Sequence, residues 1–223
     1  MSRPLHLNFL PVLLTAVSIP SFANEHTLDT TPLTGERQFH LVRALPLDAS
    51  FYQPLTSDLV TAGIPEKYGH EEWAAVVLTN EFHQHVGIYT ILGAKMGVRA
   101  RELLEARPRS VNVTAQTGTA PPHSCLVDGL QVALGSTLAQ NLIHVPESDT
   151  PRTAAVFEYQ GKKVRLCLKP KIQQTISDII SNAISSHGNL TPAYFTEIES
   201  ASYRIWAEFD RSVIFDEEIL HNR

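Results

Sequence analysis

"GIYTILGAKMGVRARELLEA" occupies residues 87–106, and its reading decides the fold. Ile88, Leu92, Met96 and Leu103 recur at helical spacing, with Ile91 and Val98 widening the apolar face. Gly93 and Gly97 stand four apart on that helix. Each lowers helix propensity by about 1 kcal/mol relative to alanine, so a close backbone approach is expected there. The approach lies either within the domain or across a homodimer. Lys95, Arg99 and Arg101 interrupt the run, so the small-residue spacing is not a membrane signal.

Just upstream, "FHQHV" places His83 and His85 one residue apart before Gly87. Alternate residues of an extended segment point to opposite sides. One histidine is then expected at the mouth of the helix and the other elsewhere. His85, nearer the helix start, reads as a metal ligand. His83 reads as a proton carrier, because a free imidazole titrates near neutral pH. The competing reading is a loop with two solvated histidines.

Moving outward, "EEWAAVVLTNEF" is helix-like, and Pro108 ends the 87–106 helix. "SVNVTAQTG" alternates like a strand. "SCLVDGLQVALG" reads as a helix with Ser124 as N-cap, and "NLIHV" as a short strand. "TAAVFEYQGKKVRLCLK" is a hairpin about Gln160-Gly161. "KIQQTISDIISNAIS" carries the stripe Ile172, Ile176, Ile179, Ile180, and "PAYFTEIESASYRIWAEFDRSVIF" gives a last helix. Helices and strands mix without strict alternation, which predicts an α+β fold with a mixed or antiparallel sheet in a single domain.

The 223 residues suffice for one domain with a real core. An apolar content of 43% and a charged content of 18% exclude general disorder. A net charge of −5 argues against a nucleic-acid partner. No glycine-rich phosphate loop is present, so no nucleotide or redox cofactor is signalled.

The first 25 residues have one early cation, Arg3, then an apolar core and a Ser21-x-Ala23 exit. That is a secretory signal with expected cleavage after Ala23 and a periplasmic or secreted product. The organisation expected is a signal peptide over 1–23, an extended lead-in over 24–55, an α+β domain over 56–190 and a C-terminal helical extension over 191–223. Cys125 and Cys167 are the only cysteines. Export invites a disulfide between them, but the spacing supplies no geometry for one.

Cys125 follows the Ser124 cap, so its sulfur falls in a first helical turn, where the dipole favours thiolate. Thiolate and neutral imidazole are ordinary ligands for zinc or another divalent transition metal. Asp128, three residues on, shares the face of Cys125 and is placed to orient a histidine or act as a general base. Gln131 continues that face toward a small-molecule substrate. The plainer readings are an inert buried thiol and an acid that complements the helix start. His123 ranks behind these as a ligand, and His144 reads as a strand residue.

Three stretches, "FHQHVGIYTILGAKMG", "TGTAPPHSCLVDGLQ" and "LGSTLAQNLI", follow one another in an order that resembles the formylmethanofuran dehydrogenase E-subunit-like family. The resemblance covers roughly residues 70 to 185. His83, His85, Gly87 and Tyr89 match the first motif, and Ser124, Cys125, Asp128, Gly129 and Gln131 the second. Ile88 stands where a proline is usual and Ser136 where many members have a cysteine. The C-terminal zinc-finger appendage of some members is missing. The resemblance implies an α+β fold, a zinc site among motif histidines and cysteines, and a homodimer. The family name is an operon label, and the resemblance implies no settled activity; the site residues read as those of an enzyme acting on a small molecule through metal-activated water or acid–base chemistry, or else of a non-catalytic metal-binding or metal-delivery protein.

Overall fold

The computed structural model describes residues 45–221. The expected signal peptide and most of the expected lead-in lie outside the described residues. Helices α1 (Pro54–Thr61), α2 (Ile64–Tyr68), α3 (His70–His83) and α4 (Ile88–Leu104) come first. Then follow β1 (Asn112–Ala115), α5 (Leu126–Leu134), β2 (Ile143–His144), β3 (Ala154–Tyr159) and β4 (Lys162–Leu168). Helices α6 (Pro170–His187) and α7 (Pro192–Glu208) precede the last strand, β5 (Phe215–Leu220). The expected α+β class is what the chain adopts. No helix among the described residues is long and apolar enough to cross a membrane.

The strands order as β2-β1-β3-β4-β5. β1 and β2 pair in parallel, while the other neighbours are antiparallel, so the sheet is mixed. The β3–β4 hairpin turns at Gln160 (φ 49) and Gly161 (φ 81). Two consecutive positive φ angles are what a tight hairpin needs to match strand twist. Val113, Phe157 and Val164 align across three strands, as do Ala115, Ala155 and Leu166. All six are buried. The alternate positions carry polar side chains such as the Glu158–Lys163 ion pair at 2.8 Å.

Against this sheet lies α4, whose residues Ile88 to Val98 are all buried. A helix covered on every side is a core helix rather than an amphipathic one, so the apolar stripe understated its burial. It packs on α3 and α5 and touches β3, β4 and α7. A Cβ on Gly93 would sit 2.1 Å from the Leu126 carbonyl oxygen, and one on Gly129 2.3 Å from the Ala94 nitrogen. A Cβ on Gly97 would meet the Ala133 Cβ at 2.7 Å. The close approach is therefore internal, between α4 and α5. These glycines lend no support to a homodimer.

Lys95, one of the three cations that broke the apolar run, is not at the surface. Its side chain is fully buried and donates to Glu72 Oε1 on α3 at 2.5 Å, with the ammonium 4.1 Å from the Tyr68 ring centroid. Burial pushes its pKa below the ordinary value, against the pull of Glu72. Arg211, in the turn before β5, donates to the other Glu72 oxygen at 2.9 Å and to Glu102 at 2.6 Å.

Three local expectations are corrected. Residues 191–223 are not purely helical, because α7 stops at Glu208 and the chain returns as sheet-edge strand β5. The run Asp216-Glu217-Glu218 hides that strand in the sequence. Arg99 on α4 holds it, donating to both Glu217 oxygens at 2.7 and 3.1 Å. Ser124 does not cap α5; it lies within a short 3-10 turn, His123–Cys125, and Cys125 takes the cap position without a side-chain bond. The segment holding His83 and His85 is not extended, since His83 is the last residue of α3.

Candidate functional site

The α3–α4 corner is built by local chemistry. Gln84 adopts the left-handed conformation (φ 66), ending α3 and turning the chain. Asn80 Oδ1 then accepts from the Gly87 N–H at 3.1 Å and from Thr90 Oγ1 at 2.7 Å. This staple fixes where α4 starts. A Cβ on Gly87 would press on Thr90 Oγ1 at 3.0 Å, the hydroxyl that donates to Asn80, so glycine there suits the staple. The result is that His83 and His85 stand on the same side, ring centroids 4.4 Å apart and tilted by 47°. The opposite-sides expectation fails because it assumed a strand where the chain forms a helix end.

The α4–α5 glycine contact brings the second motif alongside. Asp128, in the first turn of α5, reaches His83, and the Nδ1–Oδ2 separation is 2.7 Å. A carboxylate has no proton to give, so His83 Nδ1–H donates and Nε2 carries the lone pair in the neutral ring. That Nε2 is buried and has no hydrogen-bond partner. An unpaired buried polar atom costs roughly 1–3 kcal/mol, which is an unusual thing to leave in place.

Cys125 sits half-buried at the start of α5, and both it and Cys167 are free thiols. Burial pushes the Cys125 thiol up, and the nearby Asp128 carboxylate adds to this. The expected dipole-favoured thiolate is thus reversed in the protein alone, since desolvation outweighs a helix end at this position. Burial and the neighbouring His83 both push the His85 pKa down. Burial pushes the His123 pKa down; its ring lies tilted against Tyr89 at 4.8 Å between centroids, and the Tyr89 hydroxyl lies 3.4 Å from His123 Nε2. Gln131 uses its side-chain oxygen to accept from the Leu138 N–H at 3.2 Å, leaving its NH2 end for other contacts.

The site residues read from the sequence thus divide. His83, His85 and Asp128 come together, and Cys125 joins them through Asp128. His144 lies exposed on β2, away from this cluster; His187, the last residue of α6, pairs with Glu197 of α7 at 2.7 Å. Among the described residues, no three His, Cys, Asp or Glu side chains converge into a ready cage for a metal ion. Two surface hollows lie elsewhere, one between α6 and α7 beside His187 and one beside Leu103 and Ile219. Both are shaped by surface relief, whereas the His83 cluster is marked by its chemistry. Sequence reasoning missed Asn80, Tyr194 and Phe195. Phe195 on α7 brings its ring to 6.4 Å from that of His85, and Tyr194 lies 5.4 Å from Phe195. No periodicity signals that contact, which spans more than a hundred residues of chain.

A family described as "FmdE, Molybdenum formylmethanofuran dehydrogenase operon" matches residues 82–208. The match takes in both motifs and runs on through α6 and α7. Among solved structures, the chain is similar to a tungsten formylmethanofuran dehydrogenase FmdE-like protein from Syntrophus aciditrophicus. That similarity has 15% identity, covers 68% of this chain and 73% of the other, and has a TM-score of 0.41. No curated protein matches the chain.

Proposed function

The chain belongs to the FmdE family, and on that premise we propose that it is an exported protein that binds a zinc-type divalent metal and acts on a small molecule. The observation that carries this reading is His83: Nδ1 is held by Asp128, and Nε2 is buried, unpartnered and bears the lone pair. Metal-binding histidines are typically oriented in this way by a carboxylate on the other nitrogen. The donor types are those a zinc-type ion takes, imidazole nitrogens from His83 and His85 and sulfur from Cys125, although among the described residues the three do not converge into a ready cage. When bound, such an ion supplies Lewis acidity and activated water.

The chain's own groups have separate parts in this reading. Asp128 fixes the His83 tautomer and aims its ring. Burial and the neighbouring His83 push the His85 pKa down, which favours the neutral imidazole that ligates a metal. The NH2 end of Gln131 is available to a polar group of the substrate. The alternative is a non-catalytic metal-binding or metal-delivery protein. A second catalytic reading dispenses with metal: the His83–Asp128 pair acts as a general base through Nε2.

Metal analysis of the full chain purified without chelators tests the proposal. Stoichiometric zinc-type metal in the parent protein, lost in His83→Ala, supports it. A metal-free parent that fails to take up zinc in titration overturns the metal reading and leaves the acid–base pair.

A further inference from the structure

A line of ring contacts runs outward from His83. His83, His85, Phe195 and Tyr194 follow one another at successive ring-centroid separations of 4.4, 6.4 and 5.4 Å. On the other side of His83, Asp128 Oδ2 lies 2.7 Å from Nδ1. The aromatic residues Tyr194 and Phe195 come from α7, an element that no motif resemblance had placed at the site. Phe195 stays 46% exposed although its edge faces an imidazole. An open aromatic ring next to His85, whose neighbour His83 keeps a buried Nε2 without a partner, offers a ligand an apolar and a polar contact together. The charge beside this line is that of the Asp128 carboxylate, with Glu199 of α7 in reach of His85.

We propose that this site takes an uncharged or cationic ligand with a planar ring, seated on Phe195 and Tyr194, its polar end toward His83 and His85. Aromatic walls favour planar rings set edge-on or offset, and they attract cations over their faces. The carboxylates disfavour an anion. The inference rests on the reading of His83 and His85 as the reactive end, and it makes α7 the element that sets ligand size.

Benzimidazole, imidazole and benzoate serve as probes, titrated by NMR into the full chain at a pH where both azoles are uncharged. Benzimidazole binds about tenfold more tightly than imidazole, which shares its N–H but lacks the fused ring, and benzoate binds weakest. In Phe195→Ala the tenfold advantage disappears while imidazole affinity stays. Phe195→Trp keeps the advantage. Zinc uptake is measured on the same variants and is unchanged by either, so failure of the metal reading and failure of this one give different patterns. Equal affinities of the two azoles, benzoate binding as well as benzimidazole, or an advantage that survives Phe195→Ala overturns the inference.

Discussion

His83 has one nitrogen satisfied and one buried without a partner. The proposed site stands on that asymmetry. Asp128→Asn keeps the shape of the pair but weakens its hold on the tautomer. Zinc affinity measured by calorimetry should fall about 10–100-fold, the usual cost of losing an orienting carboxylate. His83→Ala should abolish zinc binding. Cys125→Ser should reduce it sharply, whereas Cys167→Ser, on β4 opposite Ala154, should leave it intact. Equal metal content in all four variants would place the site elsewhere. Zinc binding should also release a proton from Cys125, because burial keeps that thiol protonated in the metal-free protein.

At the level of elements, the α4–α5 crossing positions every site residue drawn from the second motif. Gly93 and Gly129 face each other with no room for a side chain. Gly129→Ala should cost roughly 1–3 kcal/mol or more in urea unfolding, the range for overpacking. It should weaken zinc binding as well, since it moves Asp128 away from His83. A Gly129→Ala protein as stable as its parent would mean the backbones can part freely. The other device between elements is the buried pair of α3 and α4. Glu72→Ala strands Lys95 and should cost about 3–5 kcal/mol, the range for an uncompensated buried charge. Lys95→Met should cost less, because Glu72 keeps Arg211 at 2.9 Å. The reverse order would show that Arg211 does not compensate.

Over the whole molecule, the charge network ties α3, Arg211 and β5 to α4. Burial pushes the Glu102 carboxyl up, but hydrogen bonds from Arg211 and Arg99 outweigh it, and the pKa lies below its ordinary 4.5. A carboxyl held lower in the folded state binds fewer protons than its unfolded counterpart, so stability rises with pH across that window. Its contribution is present above about pH 4.5 and is lost as pH falls through the folded value. Thermal unfolding from pH 6 to pH 3 should therefore show a steeper loss for the parent than for Glu102→Gln. Parallel pH profiles would remove Glu102 from the acid response. A homodimer is proposed on the family resemblance alone, and sedimentation of the full chain as a monomer at high concentration would exclude it. N-terminal sequencing of exported material should read from Asn24, and an intact Met1 on that material would rule out the cleavage.

The periodicities alone determined the element order from α3 to α7, the Gln160-Gly161 hairpin and the α+β class. The elements depend on local rules: spacing along a helix, alternation along a strand, and φ angles that glycine tolerates. What only the tertiary structure decided depends on groups brought together from distant chain positions. Lys95 breaks the apolar run in the sequence, yet in the fold it is buried against Glu72. Glycines that fit a dimer turn out to serve α5, because Gly129 and Ala133 meet them there. Strand β5 has too many acids to alternate, and becomes a strand because β4 pairs with it and Arg99 binds Glu217. His83 and His85 share a side because His83 ends a helix, and Phe195 reaches them because α7 packs back on α4. In each case a partner remote in sequence supplies the energy that settles the conformation, and a local pattern cannot carry that information.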